Sequence, residues 1–170
     1  MNSNKNLVFL GMMGSGKSSI GNLVSKKLSI PFIDIDNLIV ENSGMSVSDI
    51  FEKKGEVYFR TLEEKITLKS LREIRSVISL GGGGFINDKV RKEILTNHFS
   101  FWLNWDELTI IKRIKGSKKR PLAFKSTDHE IRAMIKNRSK IYTNAQFKIN
   151  CNKLTKTEIV KKIIKIYELN

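Results

Sequence analysis

Residues Gly11 to Ser18 have the spacing G-x-x-x-x-G-K-S, which is typical of a loop that binds the phosphates of a nucleotide. Glycines let the backbone curl with its N–H groups facing inward, and the helix that follows adds the positive end of its dipole. Lys17 can bring its charge to the β- and γ-phosphates, and the Ser18 hydroxyl can ligate Mg²⁺. The alternative is a chance match in a glycine-rich loop. The apolar run 7–10 before the segment and the amphipathic stretch after it favour nucleoside triphosphate binding, so we call residues 11–18 the phosphate loop.

Two carboxylates, Asp34 and Asp36, come directly after the apolar residues Phe32 and Ile33. Alternate residues of a strand point the same way, so this pattern predicts both carboxylates at the carboxyl edge of a sheet, where open α/β folds bind ligands. Two like charges there are costly unless a cation is near. We therefore predict that Asp34 binds Mg²⁺ and that Asp36 accepts a hydroxyl proton from an acceptor substrate. The alternative for either residue is a helix cap, with Asp36 capping a helix that begins at Asn37.

Four consecutive glycines, Gly81 to Gly84, follow the apolar run 77–80, and we call them the glycine segment. Ordering glycines costs more conformational entropy than ordering other residues, so a plain turn would seldom use four. Close approach of the main chain to a ligand explains them better. Relief of crowding at a sheet edge is the alternative.

Basic side chains provide further candidates. Taken alone, Arg60 and Arg138 are typical of exposed helix arginines. Residues 115–127 carry five basic side chains and no acid, and Gly116 and Pro121 interrupt any helix there. This segment is either an exposed surface loop or a mobile lid over phosphates, and the phosphate loop favours the lid.

Short apolar runs alternate with helical patterns along the whole chain, which predicts a parallel sheet covered on both faces. The predicted strands are 7–10, 32–35, 77–80, 99–103 and 147–149. The predicted helices are 17–28, a short pair within 36–54, 56–72, 88–96, 106–114, 128–141 and 155–168.

The composition fits one domain covering residues 1–170. The 31 basic and 17 acidic residues give a net charge of +14, but no RNA-reading signature with interleaved aromatics accompanies it, so we expect no nucleic-acid partner. There is no apolar run long enough to span a membrane, and the polar start is unlike a signal peptide. A single cysteine cannot form an internal disulfide, so we expect a cytoplasmic protein without a membrane partner.

Five further residues of reactive or aromatic type are given no catalytic or binding role. No partner at catalytic or metal-binding spacing accompanies His98 or His129, so we expect both at the surface. Cys151 is expected to be a packing or surface thiol. We expect Trp102 and Trp105 to pack in the core or at the sheet edge.

Taken together, these motifs resemble the shikimate kinase family, in order and over nearly the whole chain. The matching motifs are G-x-x-G-S-G-K-S at 11–18, D-x-D at 34–36, F-x-x-x-G-E-x-x-F-R at 51–60, L-G-G-G at 80–83, R-P-L at 120–122 and R-x-x-x-Y at 138–142. The resemblance implies transfer of the γ-phosphoryl group of ATP to the 3-hydroxyl of shikimate, with Mg²⁺. It also implies a three-layer α/β P-loop fold with a parallel sheet in the order 2-3-1-4-5, a substrate-binding section at about 36–63 and a lid at about 115–127. We expect a monomer with ATP and shikimate as its partners.

The resemblance also implies roles for individual residues. Those implied to bind ATP are Gly14, Ser15, Gly16, Lys17, Ser18, Ser19, Arg113, Arg120 and Lys153. Those implied to bind shikimate are Asp36, Arg60, Gly81, Gly82, Gly83 and Arg138, with Glu63 supporting the site through Arg60 or its neighbours. The implied catalytic residues are Lys17, Asp36 and Arg120, and the metal ligands are Ser18 and Asp34. Two positions depart from the family pattern, because Ser19 replaces a common threonine and Gly84 replaces a small side chain.

Two other functions are compatible with parts of the sequence. A P-loop kinase for another small acceptor would share the phosphate loop, although a nucleotide acceptor, unlike gluconate, has no carboxylate for two arginines. A basic nucleic-acid-binding protein that uses ATP as a switch would explain the net charge, and it predicts binding that weakens steeply with salt.

Overall fold

A computed structural model describes residues 4–116 and 126–170, and a five-stranded parallel sheet forms its centre. The strands are β1 (Leu7–Leu10), β2 (Phe32–Asp34), β3 (Val77–Ser79), β4 (Phe99–Asn104) and β5 (Phe147–Asn150). Their order is β2-β3-β1-β4-β5, and every neighbouring pair is parallel. The predicted sheet order is therefore confirmed, and each predicted strand ends within one residue of the observed end.

Helices connect the strands and cover both faces of the sheet. They are α1 (Lys17–Leu28), α2 (Ile35–Ser43), α3 (Val47–Arg72), α4 (Asp88–Asn97), α5 (Glu107–Lys115), α6 (Asp128–Tyr142) and α7 (Lys156–Glu168), and a 3₁₀ turn covers Gly84–Ile86. Ser46 caps α3 by accepting a hydrogen bond from the Asp49 N–H. Gly55, at φ 82° and ψ 170°, interrupts α3, so the chain forms the two predicted helical pieces on either side of it.

The core has two parts because strand side chains alternate between the faces of the sheet. Val8 and Leu10 of β1 pack with the apolar faces of α2 to α6. Leu7 and Phe9 pack on the other face, against α1 and α7. This arrangement confirms three layers. Among the described residues, no helix combines the length and the apolar character needed to span a membrane.

A buried polar cluster joins the amino ends of the three central strands. The Asn6 side chain donates to the Leu71 carbonyl oxygen (2.8 Å) and accepts from the Ser76 N–H (2.8 Å). The Asn6 N–H in turn donates to Nδ1 of His98 (3.3 Å). His98 is only 7% exposed, so the prediction of a surface position was wrong for it, whereas His129 is exposed as predicted.

We expect His98 to make folding sensitive to acid. Burial lowers the pKa of its imidazole; Glu93 opposes this shift and Lys5 adds to it. An unfolded chain takes up a proton at this histidine near pH 6.5, while the folded protein resists protonation until lower pH. The contribution of His98 to the free energy of unfolding should therefore be lost as pH falls below about 6.5.

Chemical denaturation at pH 7.5 and pH 5.5 measures this loss. His98→Gln should lose less stability between the two pH values than the wild type does. His129→Gln removes an exposed histidine and should behave as the wild type. Equal losses in the wild type and His98→Gln would contradict the assignment.

Candidate active site

The phosphate loop connects β1 to α1 and needs its glycines for steric reasons. Gly14 and Gly16 have φ of 80° and 88°, values that other residues rarely adopt. A Cβ on Gly11 would lie 2.9 Å from the Leu103 carbonyl oxygen of the neighbouring strand. The backbone geometry thus accounts for all three glycines of the motif.

Lys17 lies at the first position of α1 and folds back over the phosphate loop. Its ammonium donates to the carbonyl oxygens of Gly11 (2.9 Å) and Met12 (3.1 Å), and the residue is only 6% exposed. A buried ammonium needs such partners. Ser18 and Ser19 follow in the first turn of α1 and are exposed, so their hydroxyls lie at the positive end of the helix dipole.

Asp34 and Asp36 both lie at the carboxyl edge of the sheet, but they belong to different elements, which the strand pattern does not predict. β2 ends at Asp34, whose side chain accepts a hydrogen bond from the Asn37 N–H (3.3 Å) and caps α2. Asp36 belongs to the first turn of α2. The prediction that both side chains project from one strand was therefore wrong, and the cap considered for Asp36 is formed by Asp34 instead.

The glycine segment follows β3, and three of its members each face a different charged group. A Cβ on Gly81 would lie 2.4 Å from Glu63 Oε1 and 2.7 Å from Asp36 Oδ1. A Cβ on Gly83 would lie 2.5 Å from Nη1 of Arg60, while one on Gly82 would lie 3.3 Å from Nη1 of Arg138. Bare backbone is thus needed for these side chains to converge.

Gly84 differs from the three glycines before it. A Cβ there would meet nothing closer than 3.5 Å, which is an ordinary contact. A small side chain therefore fits at this position, as the resemblance implies.

Arg60 and Glu63 form an ion pair on the second piece of α3. Nη1 of Arg60 donates to Glu63 Oε2 (2.7 Å), and its Nε and Nη2 donate to Glu56 Oε1 (3.2 Å each). Burial raises the pKa of the Glu63 carboxyl, the charge of Arg60 opposes this shift, and nearby Asp36 adds to it. Glu63 Oε1 is buried and has no hydrogen-bond partner among the described residues.

Arg138 and Tyr142, one turn apart on α6, contact the same atom of the glycine segment. Nη1 of Arg138 (3.1 Å) and the Tyr142 hydroxyl (2.5 Å) both donate to the Gly82 carbonyl oxygen. Burial raises the pKa of Tyr142 to about 12, so its hydroxyl remains a donor at neutral pH. Two helices, α3 and α6, thus bring one arginine each to the glycine segment.

A cavity of about 430 Å³ opens between these two helices. Arg60, Glu63, Gly83 and Arg138 are among the residues that line it, together with Glu56, Glu64, Gly84, Ile86, Asn87, Val90, Asn137 and Ile141. Its size suits a small molecule, and its two guanidinium groups suit a carboxylate, which planar forks can bind in bidentate fashion.

Residues on the far side of the phosphate loop include Arg113 and Lys153. Nη1 of Arg113 donates to the Gly14 carbonyl oxygen (3.2 Å). Lys153 has a φ of 62° and lies in the loop after β5. Arg120, which was predicted to bind ATP, lies outside the described residues, as does most of the predicted lid 115–127.

Trp105 packs at the sheet edge as predicted, but sequence reasoning did not foresee its contact with the phosphate loop and assigned no role to Tyr142. The Trp105 indole donates to the Ser15 carbonyl oxygen of the phosphate loop (2.9 Å). A usable signal was its place just after β4, since β4 neighbours β1 and ends at the same edge. Tyr142 closes the R-x-x-x-Y motif, and the four-residue spacing places it on the same helix face as Arg138.

Comparison with known proteins agrees with this arrangement. A family model described as shikimate kinase matches residues 13–168. A shikimate kinase from Thermodesulfovibrio yellowstonii is 38% identical over 165 residues, covering 96% of this chain and 95% of the relative.

Solved structures give the same result. A shikimate kinase from Acinetobacter baumannii in complex with shikimate has a TM-score of 0.91 and 27% identity, covering 98% of this chain and 94% of the other. A shikimate kinase from Aquifex aeolicus has a TM-score of 0.86 and 36% identity, with 96% of both chains covered. With the phosphate loop, the paired arginines and the glycine segment in place, these matches show that the chain belongs to the shikimate kinase family.

Proposed function

We propose that this chain transfers the γ-phosphoryl group of ATP to the 3-hydroxyl of shikimate, giving shikimate 3-phosphate and ADP, in aromatic amino-acid biosynthesis. The observation that carries the proposal is the contact between the two halves of the site at Gly82. A Cβ on Gly82 would lie 3.3 Å from Nη1 of Arg138 and 3.4 Å from the backbone N of Met13 in the phosphate loop. The phosphate-binding and carboxylate-binding groups therefore share one boundary, as direct transfer requires.

On the donor side, the phosphate loop supplies backbone N–H groups, and Ser15 and Ser19 flank the site. Lys17 exchanges its bonds with the Gly11 and Met12 carbonyl oxygens for phosphate oxygens when a nucleotide binds. Phosphoryl transfer depends mainly on alignment and charge neutralisation, and a lysine at this position provides both.

On the acceptor side, Arg60 and Arg138 bind the shikimate carboxylate. Glu63 holds Arg60 in place through the 2.7 Å ion pair. Asp36 binds the reacting hydroxyl, orients it and accepts its proton. The position of Asp36 beside Gly81 supports this role, because it places the carboxylate at the same edge as the phosphate loop.

Mg²⁺ fits the donor atoms available, because a serine hydroxyl and an aspartate carboxylate are the hard oxygen ligands that this ion prefers. Ser18 and Asp34 would hold it, with phosphate oxygens and water as further ligands. When bound, the ion neutralises charge on the phosphates.

Arg113, Lys153 and Arg120 are proposed to contact ATP, and the role of Arg120 in a lid remains a prediction. We propose that the enzyme acts as a cytoplasmic monomer without nucleic-acid or membrane partners.

An ADP-release assay with several acceptors tests the proposal. Turnover with ATP and Mg²⁺ should require shikimate, and gluconate and nucleoside monophosphates should give no more ADP than ATP alone. Turnover with gluconate but not with shikimate would reject the proposal and favour the gluconate kinase alternative. Tight, salt-sensitive binding to RNA or DNA without acceptor-dependent turnover would favour the nucleic-acid alternative.

Loss of either arginine should weaken shikimate binding. Arg60→Ala and Arg138→Ala each remove charge-assisted hydrogen bonds to a carboxylate, so KM for shikimate should rise about ten- to a hundredfold while KM for ATP changes little. Lys136→Ala, which removes an exposed charge from α6, is the matched control and should leave both values unchanged. An equal rise in both KM values for the arginine variants would contradict their assignment to the acceptor.

Asp36→Asn should lower kcat by about 10²- to 10⁴-fold, because an amide keeps the shape of the carboxylate but cannot accept a proton. Glu41→Asn, on the exposed part of the same helix, is the control and should keep its activity. A near-normal kcat for Asp36→Asn would show that this residue does not accept the proton.

A further inference from the structure

Two side chains from outside the phosphate loop donate hydrogen bonds to consecutive carbonyl oxygens of that loop. Nε1 of Trp105 donates to the Ser15 carbonyl oxygen (2.9 Å), and Nη1 of Arg113 donates to that of Gly14 (3.2 Å). The Arg113 guanidinium also lies 3.8 Å from the centre of the Trp105 ring. A cation at this distance stacks on the indole face, so the two side chains support each other.

Trp105 is held firmly because the chain is tied down on both sides of it. The Asn104 carbonyl oxygen accepts from the Cys151 N–H (2.9 Å), and the Asp106 N–H donates to Oδ1 of Asn152 (2.9 Å). Asp106 also caps α5. The indole therefore belongs to the rigid sheet edge rather than to the phosphate loop that it contacts.

The Ser15–Gly16 peptide needs such support because one of the two torsions that turn it belongs to a glycine. The plane of this peptide turns about ψ of Ser15 and φ of Gly16, and Gly16 has a φ of 88° and reaches other backbone conformations at little cost, so the peptide can rotate. In a trans peptide the C=O and N–H groups point in opposite directions. Holding the Ser15 carbonyl oxygen on the Trp105 side therefore turns the Gly16 N–H to the opposite side, and a rotated peptide would present an oxygen to the phosphates instead.

We propose that Trp105 is a positioning residue for nucleotide binding, which acts by fixing the Ser15–Gly16 peptide so that the Gly16 N–H faces the phosphates. This inference rests on the proposed function only in taking the nucleotide as the ligand of the phosphate loop. The acceptor half of the site makes no use of the Trp105 hydrogen bond.

Trp105→Phe tests the proposal, because phenylalanine keeps an aromatic face for Arg113 and removes the N–H donor. The Kd for Mg·ADP, measured by calorimetry without acceptor, should rise about fivefold, while the Kd for shikimate stays within about twofold of the wild type. In turnover, KM for ATP should rise and KM for shikimate should not.

Trp102→Phe is the matched control. Trp102 is the other tryptophan of the chain, and its indole packs against Tyr142 in the core. It should leave the Kd for Mg·ADP unchanged. If Trp105→Phe does not fold, 3-benzothienylalanine at position 105 replaces only the N–H by sulfur, and the same rise in Kd is expected.

Three results would overturn the inference: an unchanged Kd for Mg·ADP in Trp105→Phe, an equal rise in the Kd for shikimate, or an equal rise in Trp102→Phe. A wild-type protein that binds Mg·ADP but shows no shikimate-dependent turnover would reject the proposed function instead. The Mg·ADP comparison would remain valid in that case, so the two failures can be told apart.

Discussion

The site depends on a short stretch of main chain that carries no side chains. At Gly81, Gly82 and Gly83, an added Cβ would lie 2.4–3.3 Å from the nearest side-chain atom of the site. Alanine at Gly81 or Gly83 would displace a charged group, because contacts below 3.0 Å force something to move. The glycine segment is therefore the surface around which α2, α3 and α6 place Asp36, Arg60 and Arg138.

Charge balance in this small space follows from the same packing. Glu63 is buried beside Asp36, and two carboxylates so close are unfavourable unless cations offset them. Burial still raises the pKa of Glu63, but the direct ion pair with Arg60 and the charge of Arg138 both oppose that rise. The two arginines that we assign to the substrate thus also stabilise the charged form of the Glu63 carboxyl group. Removing either arginine would therefore change the charge balance of the site even without substrate.

Much of the fold and part of the site could be predicted from the sequence, because these features depend on local rules. The phosphate loop follows from residue spacing, and the strands follow from short apolar runs between helical patterns. The turn from β2 into α2 was misjudged because β2 has only three residues, too few for alternation to reveal where the strand ends. Asp36 still lies at the predicted carboxyl edge of the sheet, because it belongs to the first turn of α2 and not to β2.

Features that depend on distant parts of the chain could not be predicted in this way. His98 is buried beside Asn6, which is 92 residues away in the sequence and donates a hydrogen bond to it. The residues around His98 in the sequence give no sign of that contact. Trp105 contacts Ser15 across 90 residues. Both contacts follow from the strand order, which came from the family resemblance and not from periodicity.

The double hydrogen bond at the Gly82 carbonyl oxygen has a consequence for substrate entry. If Arg138 binds the substrate carboxylate as we propose, its Nη1 can leave this partly buried oxygen, and a carbonyl left without a donor would cost about 1–3 kcal/mol. Tyr142 donates to the same oxygen and can remain there when the guanidinium leaves. The Arg138 guanidinium can therefore leave the Gly82 oxygen for a carboxylate without leaving that oxygen unsatisfied.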